Sequence, residues 1–211
     1  MSGTPDKTLP PDYFNSVYAA NADPWSFETS EYEGAKYTAT LSALPRERYR
    51  NAFEIGCSIG VLTERLAARC DQLTSVDVSE KALARARSRC ALLPHVNFRR
   101  MEVPREYPAE SFDLTLLSEV GYYFSISDLH LTRGLIIEHL ASGGHLLLVH
   151  WTSFVHDYPL TGDEVHDAFL EISESNIESR DSSSLTSETA LRHLVHRRTE
   201  HYRLDLFERL S

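Results

Sequence analysis

Between residues 52 and 151 short apolar runs alternate with amphipathic stretches, and this alternation restricts the fold more than any other feature of the chain. Residues 52–55, 73–78, 96–101, 112–117 and 145–151 have the length and apolar content of strands. Between them, Leu62, Leu66 and Cys70 form one stripe at helical spacing. Leu83, Ala86, Cys90 and Leu93 form another, with Arg85, Arg87 and Arg89 directed largely toward solvent and Ser79 placed to cap the helix. A further helix near 127–140 precedes a Gly143-Gly144 turn. Strands and helices in this order build βαβ units, so the expected fold is α/β and Rossmann-like, a mostly parallel sheet with helices on both faces. Strict alternation over 202–210 adds an antiparallel last strand.

Length and composition fit one domain. The 211 residues are 42% hydrophobic, enough for one sizeable core. Residues 1–45 are rich in aromatics (Tyr13, Phe14, Tyr18, Trp25, Phe27, Tyr32, Tyr37) and read as helices or a lid outside the sheet, while Ser173 to Ser187 reads as a polar loop. The formal charge of −10 repels a phosphate backbone on average, so no nucleic-acid partner is expected. Three cysteines, Cys57, Cys70 and Cys90, form no C-x-x-C pair. Neither a secretory signal nor a run near the ~18 apolar residues of a membrane span is visible. A cytoplasmic chain without a membrane span fits these features. No H-E-x-x-H is present, and His145, His150 and His156 are not spaced to share a helix face, so no metal site is expected.

The chemistry concentrates where strands end, because open α/β sheets bind ligands beyond the carboxyl ends of their strands. The first strand runs into Glu54-Ile-Gly-Cys-Ser-Ile-Gly60, and Asp77 follows Gly56 by 21 residues. That separation suits a ribose-binding acid, yet Gly56-Cys-Ser-Ile-Gly60 is neither the G-x-G-x-x-G of a dinucleotide site nor a Walker loop. Four acids, Glu54, Asp77, Glu102 and Glu119, fall at successive strand ends. Each would repel a pyrophosphate by roughly 1 to 4 kcal/mol at about 4 Å.

A ligand with hydroxyl and amine donors and no phosphate suits such a rim, and S-adenosylmethionine has that chemistry. In this reading glycines at 56 and 60 let the backbone approach the ligand without an intruding Cβ, and Asp77 accepts both ribose hydroxyls. Met101 lies on the adenine, Glu102 accepts from the adenine amine or holds its loop, and Glu119 stands near the transferred methyl group or the acceptor.

Phe53-Glu-Ile-Gly-Cys-Ser-Ile-Gly60, Ser75-Val-Asp-Val-Ser79, Phe112-Asp-Leu114 and Ser142-Gly-Gly-His145 together resemble the class I S-adenosylmethionine-dependent methyltransferases. Ala22-Asp-Pro-Trp25, Tyr32-Glu33 with Lys36-Tyr37, and Ser118-Glu-Val-Gly-Tyr-Tyr123 resemble, more narrowly, the nodulation protein S group, N-methyltransferases of deacetylated chitooligosaccharides. The resemblance implies a seven-stranded sheet whose last strand is antiparallel. It also implies a helical lid over 1–45, a cofactor-binding core over 50–151 and an acceptor-shaping segment over 152–211. Glu54, Gly56, Ser58, Gly60, Asp77, Glu102 and Ser118 are then cofactor contacts, with Cys57, Val78, Met101 and Val103 beside them and Trp25 and Tyr37 folded over the top. Asp157-Tyr-Pro-Leu-Thr161 would shape the acceptor pocket.

The implied reaction is in-line methyl transfer to a small molecule, most specifically the amino group of an amino sugar or oligosaccharide. An ammonium acceptor must lose a proton first, which makes Glu119, Tyr123 and His150 the candidate catalytic residues. Each also has a structural reading: Glu119 bonding a backbone N–H, Tyr122 and Tyr123 filling core space, His150 satisfied within its strand. An O-methyltransferase of a small metabolite and a cofactor-binding protein without catalysis are the alternatives.

Overall fold

The computed structural model describes residues 6–173 and 190–211, so all of the 173–187 stretch but Ser173 lies outside the described residues. Contacts group the chain into two compact units, Leu9–Pro108 and Ala109–Ser211 with Met1–Thr8.

The first unit contains helices α1 (Pro11–Ala20) and α2 (Glu31–Ser42), then β1 (Tyr49–Ile55), α3 (Val61–Ala67), β2 (Cys70–Asp77), α4 (Glu80–Arg89) and β3 (Val96–Arg100). Its strands are parallel, in a register that sets Ile55 opposite Val76 and Asp77 opposite Arg100. Phe53, Leu66, Leu73, Leu83 and Ala86 are fully buried, each large side chain among them contributing about 1.5–3 kcal/mol. Arg69 closes the turn between α3 and β2 by donating from its guanidinium to the carbonyls of Leu41 and Glu47.

The second unit contains β4 (Phe112–Ser118), a 3-10 turn (Gly121–Tyr123), α5 (Ile126–His139), β5 (Leu140–Trp151), α6 (Gly162–Leu170), β6 (Leu191–Arg198) and β7 (Tyr202–Arg209). β4 and β5 are parallel, and β7 runs antiparallel to both β5 and β6. The sheet has seven strands in the order β3-β2-β1-β4-β5-β7-β6. The mostly parallel α/β architecture expected from the sequence is therefore present, with β7 the one reversed strand among those described.

Several local expectations are corrected. Cys70 opens β2 and does not continue the α3 stripe, because the chain turns at Ala68 and Arg69. Ser79 occupies the N-cap position of α4, but its hydroxyl makes no cap bond, and its own N–H goes to Asp77. Arg89 is turned in toward Glu28, with 24% of its side chain exposed, while Arg85 and Arg87 keep the solvent-facing places expected of them, paired with Glu28 and Glu80.

Gly143-Gly144 does not precede the strand either. Pairing jumps from Phe112↔Leu140 to Leu114↔His145, so the two glycines sit in a bulge of β5. A Cβ on Gly144 would stand 2.7 Å from the Ala141 carbonyl oxygen, and Gly143 has φ +70°, which is why this bulge is built from glycine. β6 had no counterpart among the sequence-read strands. As the last strand in the sheet order it alternates weakly, with only Leu191 fully buried.

Candidate functional site

The glycine turn of the first unit is held from within. Gly56 and Cys57 both donate their N–H to the Val76 carbonyl, at 2.8 and 2.9 Å, and Gly60 donates to the Cys57 carbonyl at 3.0 Å. Ser58 donates its N–H to Asp77 Oδ2 and Ser79 to Asp77 Oδ1, both at 2.9 Å. Gly56, Ser58 and Gly60 all have positive φ, so the turn curls tightly enough to bring its amides onto the end of β2. With the amides of Gly56, Cys57, Ser58 and Gly60 engaged, the turn keeps few N–H groups for a pyrophosphate. It presents a carboxylate instead.

Asp77 is half-buried at the end of β2. Burial pushes its carboxyl up to about 6 against the pull of the Ser79 and Ser58 amides. Glu54 is different from what its place in the motif suggested: it is 2% exposed and its Oε2 accepts from Thr63 Oγ1 at 2.6 Å and Ser75 Oγ at 2.7 Å. It ties α3 to β2 beneath the turn and does not face a strand-end rim. Burial raises its carboxyl to about 6 despite those two hydroxyls. Cys57 is buried, and burial followed by the charges of Asp77 and Glu54 holds its thiol protonated.

Gly60 is also corrected. A Cβ there would stand 2.9 Å from both Cα and Cβ of Ala86, so this glycine clears the face of α4.

An aromatic chain leads from the N-terminal helices to the turn. Tyr18 on α1 meets Trp25 edge-on at 5.7 Å, Trp25 stacks on Phe27 at 5.6 Å, and Phe27 lies 6.5 Å from Tyr37 on α2. Arg65 covers Tyr37 from α3, at 5.5 Å from its ring. Tyr18 then reaches the turn itself, its hydroxyl 2.5 Å from Ser58 Oγ. Burial, reinforced by the Asp77 charge, keeps that phenol protonated. Asp23 shapes the loop that carries Trp25, accepting from the N–H groups of Phe27 and Glu28 at 2.8 and 2.9 Å. The sequence places Tyr18 among the lid aromatics but does not single it out beside Trp25 and Tyr37, because its role depends on a hydrogen bond across 40 positions.

After β3, Met101 donates its N–H to the Asp77 carbonyl at 3.1 Å and is half-buried. Glu102 pairs with Arg105, and its own N–H goes to Glu106. Val78 is half-buried and Val103 buried.

In the second unit, Ser118 ends β4 and Glu119 follows it with φ +57°. That conformation turns the Glu119 carboxylate back, where Oε2 accepts from Tyr122 Oη at 2.7 Å and from the Trp151 N–H at 2.9 Å. Tyr122 stacks on Tyr158 at 5.2 Å, and Tyr123 meets both rings edge-on at 4.7 and 4.8 Å. The segment around Tyr158 therefore belongs to an aromatic cluster with a carboxylate at its side. Burial and the Glu119 charge raise the Tyr122 phenol, so it donates to Glu119 and stays protonated.

His150 is fully buried, and both its ring nitrogens are engaged. Nε2 accepts from the Gly121 N–H at 3.1 Å, and Nδ1 lies 3.0 Å from His166 Nε2. His166 Nδ1 in turn lies 2.5 Å from Asp205 Oδ2. The carboxylate requires a proton on His166 Nδ1, which leaves His166 Nε2 an acceptor, puts the His150 proton on Nδ1 and frees its Nε2 lone pair for Gly121. Burial lowers His166 more than Asp205 raises it, keeping the relay neutral at its centre. His150 thus positions the 3-10 turn that carries Tyr122 and Tyr123, a different task from that of a solvent-facing base. His166 and Asp205 went unnoticed in the sequence, where they lie 16 and 55 residues away with no shared pattern.

Sheet order, the reversed β7 and the phosphate-free turn with its acid define a class I methyltransferase fold. A solved Bradyrhizobium japonicum structure, the N-methyltransferase NodS in complex with S-adenosyl-l-homocysteine, shares it with TM-score 0.74 at 24% identity, over 93% of this chain and 100% of that one. A Pseudomonas syringae structure, provisionally described as a methyltransferase, matches at 35% identity and TM-score 0.67, over 85% of this chain and 100% of that one. The profile of the nodulation protein S family matches residues 16–154, and the chain belongs to that family. Nodulation protein S of Rhizobium tropici is 34% identical over 127 residues, 59% of this chain and 53% of the relative. The chain spans about half the length of the curated nodulation protein S relatives from Rhizobium tropici and Bradyrhizobium diazoefficiens. Among the described residues no helix is long and apolar enough to cross a membrane.

Proposed function

We propose that this chain is an S-adenosylmethionine-dependent methyltransferase that acts on a small polar acceptor, the amino group of an amino sugar or oligosaccharide. The observation that carries the reading is the glycine turn whose amides are satisfied internally beside the Asp77 carboxylate. Such a cradle accepts hydroxyl donors and offers little to a pyrophosphate, which disfavours a nicotinamide dinucleotide. Membership of a family whose solved member is described as an N-methyltransferase supports the same reading.

When bound, the cofactor supplies a methyl group on a sulfonium. The chain's own residues do the rest. Asp77 accepts from the ribose diol, Met101 and Val103 flank the adenine, and Glu102 closes the edge. Ser58 lines the remaining length of the cofactor. Trp25, Phe27 and Tyr37 exclude water, which matters because an in-line displacement depends on holding the nucleophile near attack distance.

An ammonium acceptor is recognised by charge and by ring faces, and Glu119 with Tyr122, Tyr123 and Tyr158 offers both. Glu119 takes the ammonium proton, Tyr123 borders the acceptor, and His150 acts by holding Gly121. Calorimetric titration with S-adenosylmethionine, S-adenosylhomocysteine and NAD tests the cofactor. Binding of both sulfur nucleosides and not of NAD is expected, and failure of both to bind refutes the proposal. A screen of deacetylated chitooligosaccharides, amino sugars and simple phenols then tests the acceptor. Methylation confined to phenols would replace the amine reading with O-methylation.

A further inference from the structure

We propose that His193, His196 and Asp205 form a binding site for a divalent transition-metal ion of the zinc type, at the β6–β7 edge. Residues three apart on a strand ordinarily face opposite sides. Here the pairing jumps from His193↔Phe207 to Val195↔Leu206 and His196↔Asp205, so Leu194 is an extra residue and both histidines face the side of the sheet that carries Asp205. His193 Nε2 lies 2.7 Å and His196 Nδ1 2.8 Å from the same oxygen, Asp205 Oδ1. The three ligand atoms all lie within 4.8 Å of one another, the one such set of three among the described residues.

The two oxygens of Asp205 have separate tasks. Oδ2 takes the His166 ring at 2.5 Å and Arg203 Nε at 2.7 Å, which fixes the carboxylate and turns Oδ1 toward His193 and His196. Outer partners that lock a ligating carboxylate in this way are characteristic of built metal sites. The adjacent Arg203 does not make the site electropositive, because Asp167 at 2.8 Å and Asp163 at 3.3 Å also hold it.

Zinc prefers nitrogen and carboxylate ligands in tetrahedral array, with ligand atoms about 3.3 Å apart at ~2.0–2.1 Å bonds. Each N···O distance therefore opens by roughly half an ångström, within reach of small side-chain rotations. Without metal each ring donates its N–H to Oδ1. With metal those ring nitrogens give up their protons to become ligand atoms, and a ring N–H remains on Nδ1 of His193 and Nε2 of His196. His196 has half its side chain exposed, which admits the ion and leaves water as the fourth ligand. The bound ion would clamp β6 to β7. Sequence spacing gives no sign of this site, since only the bulge aligns the two histidines.

The test uses the full chain without an affinity tag, stripped by chelator and titrated with Co(II) alone and then Zn(II). Expected are one saturable site of micromolar affinity or tighter, a visible low-coordinate cobalt spectrum bleached by zinc, and a raised unfolding temperature. His193→Gln and His196→Gln should each weaken binding by at least about 100-fold, while the exposed His156→Gln leaves it unchanged. Circular dichroism establishes that each variant is folded. Absence of saturable binding, binding undiminished in both ligand variants, or an equal loss in His156→Gln overturns the proposal.

Discussion

Replacing Gly60 by alanine separates two reasons for a glycine in this turn. If the position clears a ligand, the variant folds normally and loses cofactor affinity. The structure gives the other reason: φ is +81° and the new Cβ would stand 2.9 Å from Ala86 Cα and Cβ, where nothing flexible can yield. A left-handed alanine costs about 1–2 kcal/mol, and overpacking against a helix backbone adds about 1–3, so Gly60→Ala should destabilise by roughly 2–5 kcal/mol. Urea unfolding followed by far-ultraviolet circular dichroism measures this, with a midpoint lowered by about 1 M or more at unchanged slope. Ala86→Gly costs about 1 kcal/mol alone through helix propensity, yet combined with Gly60→Ala it should return part of the loss. A Gly60→Ala variant within about 0.5 kcal/mol of the parent, or no coupling to Ala86→Gly, refutes the packing argument.

Three further perturbations bear on the site. Asp77→Ala should weaken S-adenosylhomocysteine binding by about 1.5–3 kcal/mol for each hydroxyl bond lost, read by calorimetry; unchanged affinity would remove Asp77 from the cofactor site. Glu54 carries a pH term: its folded value near 6 exceeds its ordinary 4.5, so the folded state takes up a proton first and this group's contribution becomes more favourable as pH falls from about 7 to 4. Glu54→Gln, which can still accept from Thr63 and Ser75, should therefore stabilise the protein at pH 8 by up to about 2 kcal/mol and flatten that slope; a loss of stability at pH 8 would contradict it. His166→Leu leaves the His150 Nδ1 proton without its acceptor and should cost about 1–3 kcal/mol, while nitrogen NMR of the parent should show His150 protonated on Nδ1; the opposite tautomer would break the relay.

The strand and helix periods over 52–151, the glycine turn and the acid after β2 were all readable in the sequence, because each depends on residues within one or two turns or on a short βαβ unit. Boundaries shifted where a local pattern met a packing constraint, as when Cys70 left the helical stripe to open β2. Glu54 was read as facing the ligand, since motif position gives residue order and not the direction in which a carboxylate finds its donors. β6 escaped notice because a half-exposed last strand carries little apolar alternation.

By itself the sequence determined the alternation that makes a parallel sheet, the absence of a phosphate-binding pattern, and the place of Asp77 at a strand end. The tertiary structure alone decided what those residues do. It spent the turn's amides on Val76 and Asp77, set Gly60 against Ala86, and looped out Leu194 so that two histidines face one carboxylate. It also joined His150, His166 and Asp205 into one hydrogen-bonded line. Periodicity is a property of neighbours along the chain, whereas register, bulges and tautomers are fixed only when separate elements must satisfy the same buried polar groups.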